Sequence, residues 1–228
     1  VSKESKSLPG FATNRPDKGE AVATEVNRLF SVLREQLAVK PEIAIATAYI
    51  NPGGFNLLAD ELENAPRVRL LLGAEPEQAL IQAVVQDEKG IEKRLDDATS
   101  GHEAWLRRER DLTGFTREAI SEAERMVAWL QSVDPEGKAK VEVRRFTKGF
   151  LHGKAYISSS PVLPGVLAGS SNMTYAGLKL NAELNLGYPA GDKQHAQNVI
   201  DWFEEYWDQS EDYDLAGVYE SLWSEHTP

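Results

Sequence analysis

Between residues 19 and 40 the apolar positions Val22, Val26, Leu29, Phe30, Leu33 and Leu37 recur every three or four residues. That period predicts a helix with one buried face. The run "EIAIATAYI" then becomes β-rich and is stopped by "NPGG", which predicts a strand and a turn. "FNLLADELENA" reads as a helix and "RVRLLLG" as a strand, completing the alternation of a layered α/β fold. From about 75 to 135 the pattern changes to a long, charged insertion of helical period, broken near "ATSG" and "DLTG". Its charges read as a solvated face. Strands resume with "KVEVRRF", "KAYISSS", "GVLAGSS" and "NAELNLGY". "DKQHAQNVIDWFEEYWDQ" is a helix whose Val199, Trp202, Phe203 and Tyr206 pack as core. Residues 1–18 read as a polar arm or linker, and 19–228 as a single domain.

Composition narrows the class. Two-fifths of the 228 residues are apolar, enough for a real core, and no apolar run approaches the ~20 residues of a membrane span. The N-terminus lacks the pattern of a signal peptide. There is no cysteine, so disulfides, thiolate metal ligands and cysteine nucleophiles are excluded, and a reducing, cytoplasmic setting fits. The first residue is Val, as in a processed chain or a fragment of a longer one. The formal charge of −11 works against long-range attraction to phosphate-rich surfaces. Any nucleic-acid binding would need a local basic patch or another part of a larger protein.

The candidate chemistry lies in residues 151–188. On an extended strand His152 and Lys154 project from the same face. "GSSN", containing Ser170 and Asn172, follows an apolar strand and so sits at a strand end, where glycine allows close backbone approach. "NAELNLG" alternates, which would put Asn181, Glu183 and Asn185 on one face. If these strands are neighbours, an imidazole, an ammonium, a hydroxyl, an amide and a carboxylate converge, a set suited to an anionic tetrahedral substrate such as a phosphodiester. Arg145 and Lys148, leading into the motif strand, are candidate substrate contacts, as are Tyr49 and Asn51 at the end of the first strand, for which turn and packing is the competing reading. Arg107, Arg108 and Arg110 are split between a nucleic-acid path and ion pairs within their own helix. His102, His195 and His226 have no lysine two residues on and read as surface side chains.

"HGK" followed by "GSSN" resembles the HKD motif of the phospholipase D superfamily: His-x-Lys, four residues, Asp, then Gly-Ser-x-Asn. His152, Lys154, Gly169, Ser170 and Asn172 match, and Glu183 falls where the family often has a glutamate that orients the histidine. The family's Asp position is Ser159. The resemblance implies a mixed β-sheet with helices on both faces and a helical insertion.

It also implies a metal-independent, cofactor-free phosphodiesterase. One histidine attacks phosphorus and forms a phosphohistidine, while a second histidine acts as general acid and then base. The chain has one motif copy, so the resemblance implies a homodimer with a shared site. Short single-motif members are mostly nucleases, which implies nucleic acid, DNA more than RNA, as substrate, and no membrane partner. "IATAYINPGGFNLL" and "YESLWSEHTP" are further similar to the nuclease-like domain at the front of some prokaryotic Swi/Snf-type helicases, so a covalently linked helicase is an expected partner. The alternative is a catalytically degenerate binding or dimerisation module, for which Ser159 is the motive.

Overall fold

The computed structural model describes residues 7–37, 40–73, 117–149, 151–160, 163–188 and 193–224. The remainder of the expected helical insertion, with His102, Arg107, Arg108 and Arg110, lies outside the described residues, as does His226.

The strands are β1 (Phe11–Ala12), β2 (Glu42–Thr47), β3 (Val68–Leu72), β4 (Val141–Arg145), β5 (Lys154–Ser159), β6 (Gly165–Gly169), β7 (Asn185–Gly187) and β8 (Glu211–Asp212). They form one mixed sheet in the order β1-β7-β6-β5-β2-β3-β4-β8. β2, β3 and β4 run parallel, as strands joined by helical crossovers must. β5, β6 and β7 follow as antiparallel neighbours.

Helices cover both faces. α1 (Val22–Leu37), α2 (Pro52–Asn56), α3 (Ala59–Asn64), α4 (Arg117–Leu130) and α6 (Leu215–Ser224) lie on the first, and α5 (Lys193–Asp208) on the second. The sequence of β2 shows why both faces are dry. Ile43 and Ile45 enter the core with Val26, Leu29 and Phe30 of α1, whereas Ala44 and Ala46 face Phe203 and Trp207 of α5. Burying each large apolar side chain contributes about 1.5–3 kcal/mol. Alanines on the second face let α5 sit close to the sheet. Arg69 joins that face between Phe203 and Trp207, its guanidinium 5.1 and 5.4 Å from their rings and held by both oxygens of Glu204 at 2.6 and 2.7 Å.

Three local readings change. "NPGG" does end the β-rich run but is a helix start rather than a turn: Asn51 caps α2, its Oδ1 accepting the Gly54 N–H at 2.7 Å, and Pro52 takes the first turn. "NAELNLGY" is strand only over Asn185–Gly187. A π turn (Ala176–Leu180) precedes it, and Asn181 ends that turn instead of sharing a strand face with Glu183 and Asn185. The segment read as a polar arm carries edge strand β1. Asn14 within it is 7 % exposed, donates to the carbonyls of Gly177 and Asn181 at 3.0 and 2.9 Å, and accepts the Val22 N–H at 2.8 Å.

Candidate active site

Continued by one residue, the pairing of β5 with β2 sets Lys154 opposite Thr47. The pairings then place Ala12, Asn185, Gly169, Lys154, Thr47, Leu72 and Arg145 in one row across the sheet. Paired residues point to the same face, so Lys154 has Thr47 on one side and the bare backbone of Gly169 on the other. Gly169 cannot be larger, because a Cβ there would lie 2.1 Å from the Leu184 carbonyl oxygen. This contact brings the Glu183 segment against the end of β6.

Lys154 is 3 % exposed, and among the described residues its ammonium has no ion-pair or hydrogen-bond partner. Burial pushes its pKa down from 10.5 to about 8, with the Glu183 charge opposing the fall. A buried ammonium with no direct partner is costly, and the more distant Glu183 charge offsets that cost only in part. His152, on the residue stretch just before β5, is exposed. Its pKa is lowered, first by partial desolvation and then by the Lys154 charge, which favours the neutral imidazole.

The "GSSN" loop is stitched to the β2–α2 turn. Met173 N–H donates to Thr47 Oγ1 at 3.0 Å, and Tyr175 N–H donates to Asn51 Oδ1 at 3.0 Å. Asn172 Oδ1 accepts the Ala48 N–H at 3.2 Å. That bond turns the amide so that its Nδ2 donors, which bond to nothing among the described residues, remain for a ligand. Ser170 Oγ donates to the Glu183 carboxylate and accepts the Leu184 N–H at 3.1 Å. Thr13 Oγ1 holds the Glu183 carbonyl at 2.6 Å. Below them the Tyr156 hydroxyl, its pKa raised chiefly by complete burial, donates to the Ser171 carbonyl at 3.0 Å. Asn185 Nδ2 donates to Ser171 Oγ at 2.7 Å.

The expected substrate contacts fare differently. Arg145 lies in the same row but three strands from Lys154, about 14 Å at the usual strand spacing. It is 3 % exposed, with its guanidinium 5.4 Å from the Tyr213 ring, so packing against the fold accounts for it. Lys148 is exposed in a bend beyond β4. Tyr49 is half-buried after β2, its carbonyl accepting the Thr47 hydroxyl at 2.7 Å.

Sequence reasoning missed Gly153 and Thr47 among the residues that support the motif. Gly153 sits under Trp202 of α5, where a Cβ would come within 2.6 Å of the indole. Thr47 and Asn51 anchor the asparagine loop. Of these Asn51 was legible, by its place at the end of the first strand and by an Asn-Pro pair that marks a helix start. Ser159, the departure from the motif, is at the opposite end of β5 from Lys154, about 16 Å away at a strand's rise per residue. The residue that departs is therefore remote from the imidazole and the ammonium.

A family model described as "Cardiolipin synthase, PLD-like domain" matches residues 33–207. The chain belongs to the phospholipase D-like family. No curated protein matches it in sequence. Among solved structures, this phospholipase D-like chain is similar to a phospholipase D family member, Nuc, from Salmonella typhimurium, with 14% identity and a TM-score of 0.47 over 89% of this chain and 97% of that one. NucT from Helicobacter pylori gives 9% identity and a TM-score of 0.44 over 85% and 96%. Phosphatidylserine synthase from Haemophilus influenzae gives 17% and 0.48 over 95% of this chain and 41% of that one. No described helix of this family member is long and apolar enough to cross a membrane.

Proposed function

We propose that the chain is a metal-independent phosphodiesterase acting on nucleic acid, DNA in preference to RNA, through a phosphohistidine at a site shared by two copies. The buried ammonium of Lys154, only partly compensated by the Glu183 charge, carries this reading. A bound phosphoryl oxygen would supply the missing negative charge, and the Asn172 Nδ2 donors would reach a second oxygen.

Neutral His152 attacks phosphorus, forming the N–P bond as the P–O bond to the leaving group breaks. His152 of the second copy protonates that leaving oxygen, then takes a proton from the water that cleaves the N–P bond. Glu183, set by Ser170, fixes the imidazole tautomer.

Two observations support the shared site. The chain carries one His-x-Lys-type motif. Phe11, Tyr175, Leu180, Leu184 and Leu186, between 41% and 59% exposed, flank the asparagine loop and the edge β7–β1, and a self-complementary two-fold contact would cover them. In this reading 7–18 belongs to the domain edge, and the chain serves as a module of a Swi/Snf-type helicase. That partner would supply the nucleic-acid affinity that a chain of net charge −11 lacks.

The test is cleavage of single- and double-stranded DNA in excess chelator by wild type and His152→Ala, with sizing alongside. Turnover by wild type alone, from a dimer, is expected. Equal behaviour of the two proteins sinks the catalytic reading and favours a binding module, and a clean monomer at micromolar concentration sinks the shared site.

A further inference from the structure

The peptide between Glu183 and Leu184 is held at both polar edges by hydroxyls from two distant parts of the chain. Its carbonyl accepts a hydrogen bond from Thr13 Oγ1 at 2.6 Å, and its N–H donates to Ser170 Oγ at 3.1 Å. A peptide unit is planar, so anchors at its two edges fix its orientation and the direction in which the Glu183 side chain leaves the backbone. The same Ser170 hydroxyl donates to the Glu183 carboxylate. Thr13 is itself fixed through both neighbours. Ala12 pairs with Asn185 between β1 and β7. Asn14 is buried, donates to the Gly177 and Asn181 carbonyls and accepts the Val22 N–H at the start of α1. Threonine is also β-branched, which restricts its χ1 and holds the hydroxyl in place. Segment 11–14 precedes residue 33, where the family match begins, so its part in the site is read from these contacts alone.

We propose that Thr13 is a positioning residue of the candidate active site: by holding the carbonyl edge of this peptide it aims the Glu183 carboxylate at its place beside Ser170. The proposal rests on the phosphodiesterase reading, which gives Glu183 its task, and extends the site to the N-terminal segment. Glu183 and Leu184 precede β7, which begins at Asn185, and their shared peptide relies on these two side-chain bonds rather than on a strand ladder. Without the Thr13 hydroxyl the peptide is tethered at one edge only. It can then turn about the Ser170 bond, and the carboxylate turns with it. Ser170 cannot take over the second edge, because its single hydroxyl already serves the carboxylate and the Leu184 N–H. The displacement has a readable consequence at Lys154, whose pKa the Glu183 charge raises. A carboxylate that has moved or become mobile lifts it less. The Thr13 hydroxyl is spent on the Glu183 carbonyl, so its effect on the lysine passes through Glu183.

Lysine titration by NMR tests this without turnover. Wild type, Thr13→Val, Thr13→Ser, Glu183→Gln and the double variant Thr13→Val with Glu183→Gln are followed through isotope-enriched lysine Cε, the Lys154 signal being the one lost in Lys154→Met. Valine keeps the branched shape and removes the hydroxyl, and serine restores it. Lys154 is expected to titrate lower in Thr13→Val than in wild type, in the same direction as in Glu183→Gln and by no more, and to return toward wild type in Thr13→Ser. In the Glu183→Gln background Thr13→Val is expected to add nothing, because a residue that acts through the carboxylate has no effect once that charge is gone. DNA cleavage is expected to fall roughly 2- to 10-fold in Thr13→Val, the worth of one neutral hydrogen bond, and to recover in Thr13→Ser. An unchanged Lys154 in Thr13→Val, a shift that persists in the Glu183→Gln background, or one that serine does not reverse would each overturn the assignment. A Thr13→Val chain whose lysine signals lose their dispersion would give the hydroxyl to stability and likewise overturn it. Because the titration needs no cleavage, a failure of the catalytic reading is seen separately, in the His152→Ala comparison.

Discussion

Lys154→Met keeps a stem of similar length and removes the buried ammonium. Desolvation lowers the group from 10.5 to about 8 against a partial lift from Glu183. At about 1.4 kcal/mol per pH unit that fall sets an upper bound of about 3.5 kcal/mol, which solvent screening at the open site reduces to about 2–3 kcal/mol at neutral pH. The sign follows from proton counts. Below pH 8 both states hold the proton and the cost is present in full. Between 8 and 10.5 the native state releases it first, so wild-type stability gains as pH rises, and above 10.5 the cost is gone. Methionine has no such dependence. In urea unfolding at pH 7 the variant is expected to be more stable by about 2–3 kcal/mol, or about 5–10 °C in Tm. That advantage should shrink between pH 8 and 10.5, and the variant should no longer bind phosphate or tungstate. A variant that is less stable at pH 7, or a gap unchanged from pH 7 to pH 10, would refute the claim that Lys154 is a buried cation only partly compensated by Glu183.

The remaining expectations concern the supports of the site. Gly153→Ala drives a methyl into the Trp202 ring and should cost about 1–3 kcal/mol in urea unfolding, with activity falling because His152 and Lys154 flank the displaced residue. Asn51→Ala removes the α2 cap and the Tyr175 N–H bond. It should lose about 1–2 kcal/mol, read as a lower urea midpoint at unchanged slope. Glu183→Gln removes the charge that lifts Lys154, so the lysine should titrate lower than in wild type by NMR; an unchanged or higher value would separate Glu183 from Lys154.

How much of this was legible in the sequence depends on where each interaction partner lies. β2, β5 and α5 announced themselves because both faces of the sheet are dry and α5 has an apolar stripe. The chemistry of His152, Lys154 and the "GSSN" loop was legible because strand alternation and a strand-end glycine constrain direction locally. β1 and β8 are two residues each and exist only through pairing with β7 and β4. Asn14 finds its partner Gly177 at a separation of 163 residues, so a polar arm by composition becomes a clamp in space. Glu183 likewise was read as a member of an alternating strand, whereas Ser170 and Thr13 hold it in an irregular segment. Arg145 looked available because its charge was visible and Tyr213, which covers it, was not.

The most direct measurement of the central claim is mass spectrometry of protein mixed with a short DNA substrate and quenched in alkali, where phosphohistidine survives. The expected result is a phospho-adduct on the peptide containing His152, absent from His152→Ala. Turnover accompanied by an adduct on another residue, or undiminished in His152→Ala, would contradict the account.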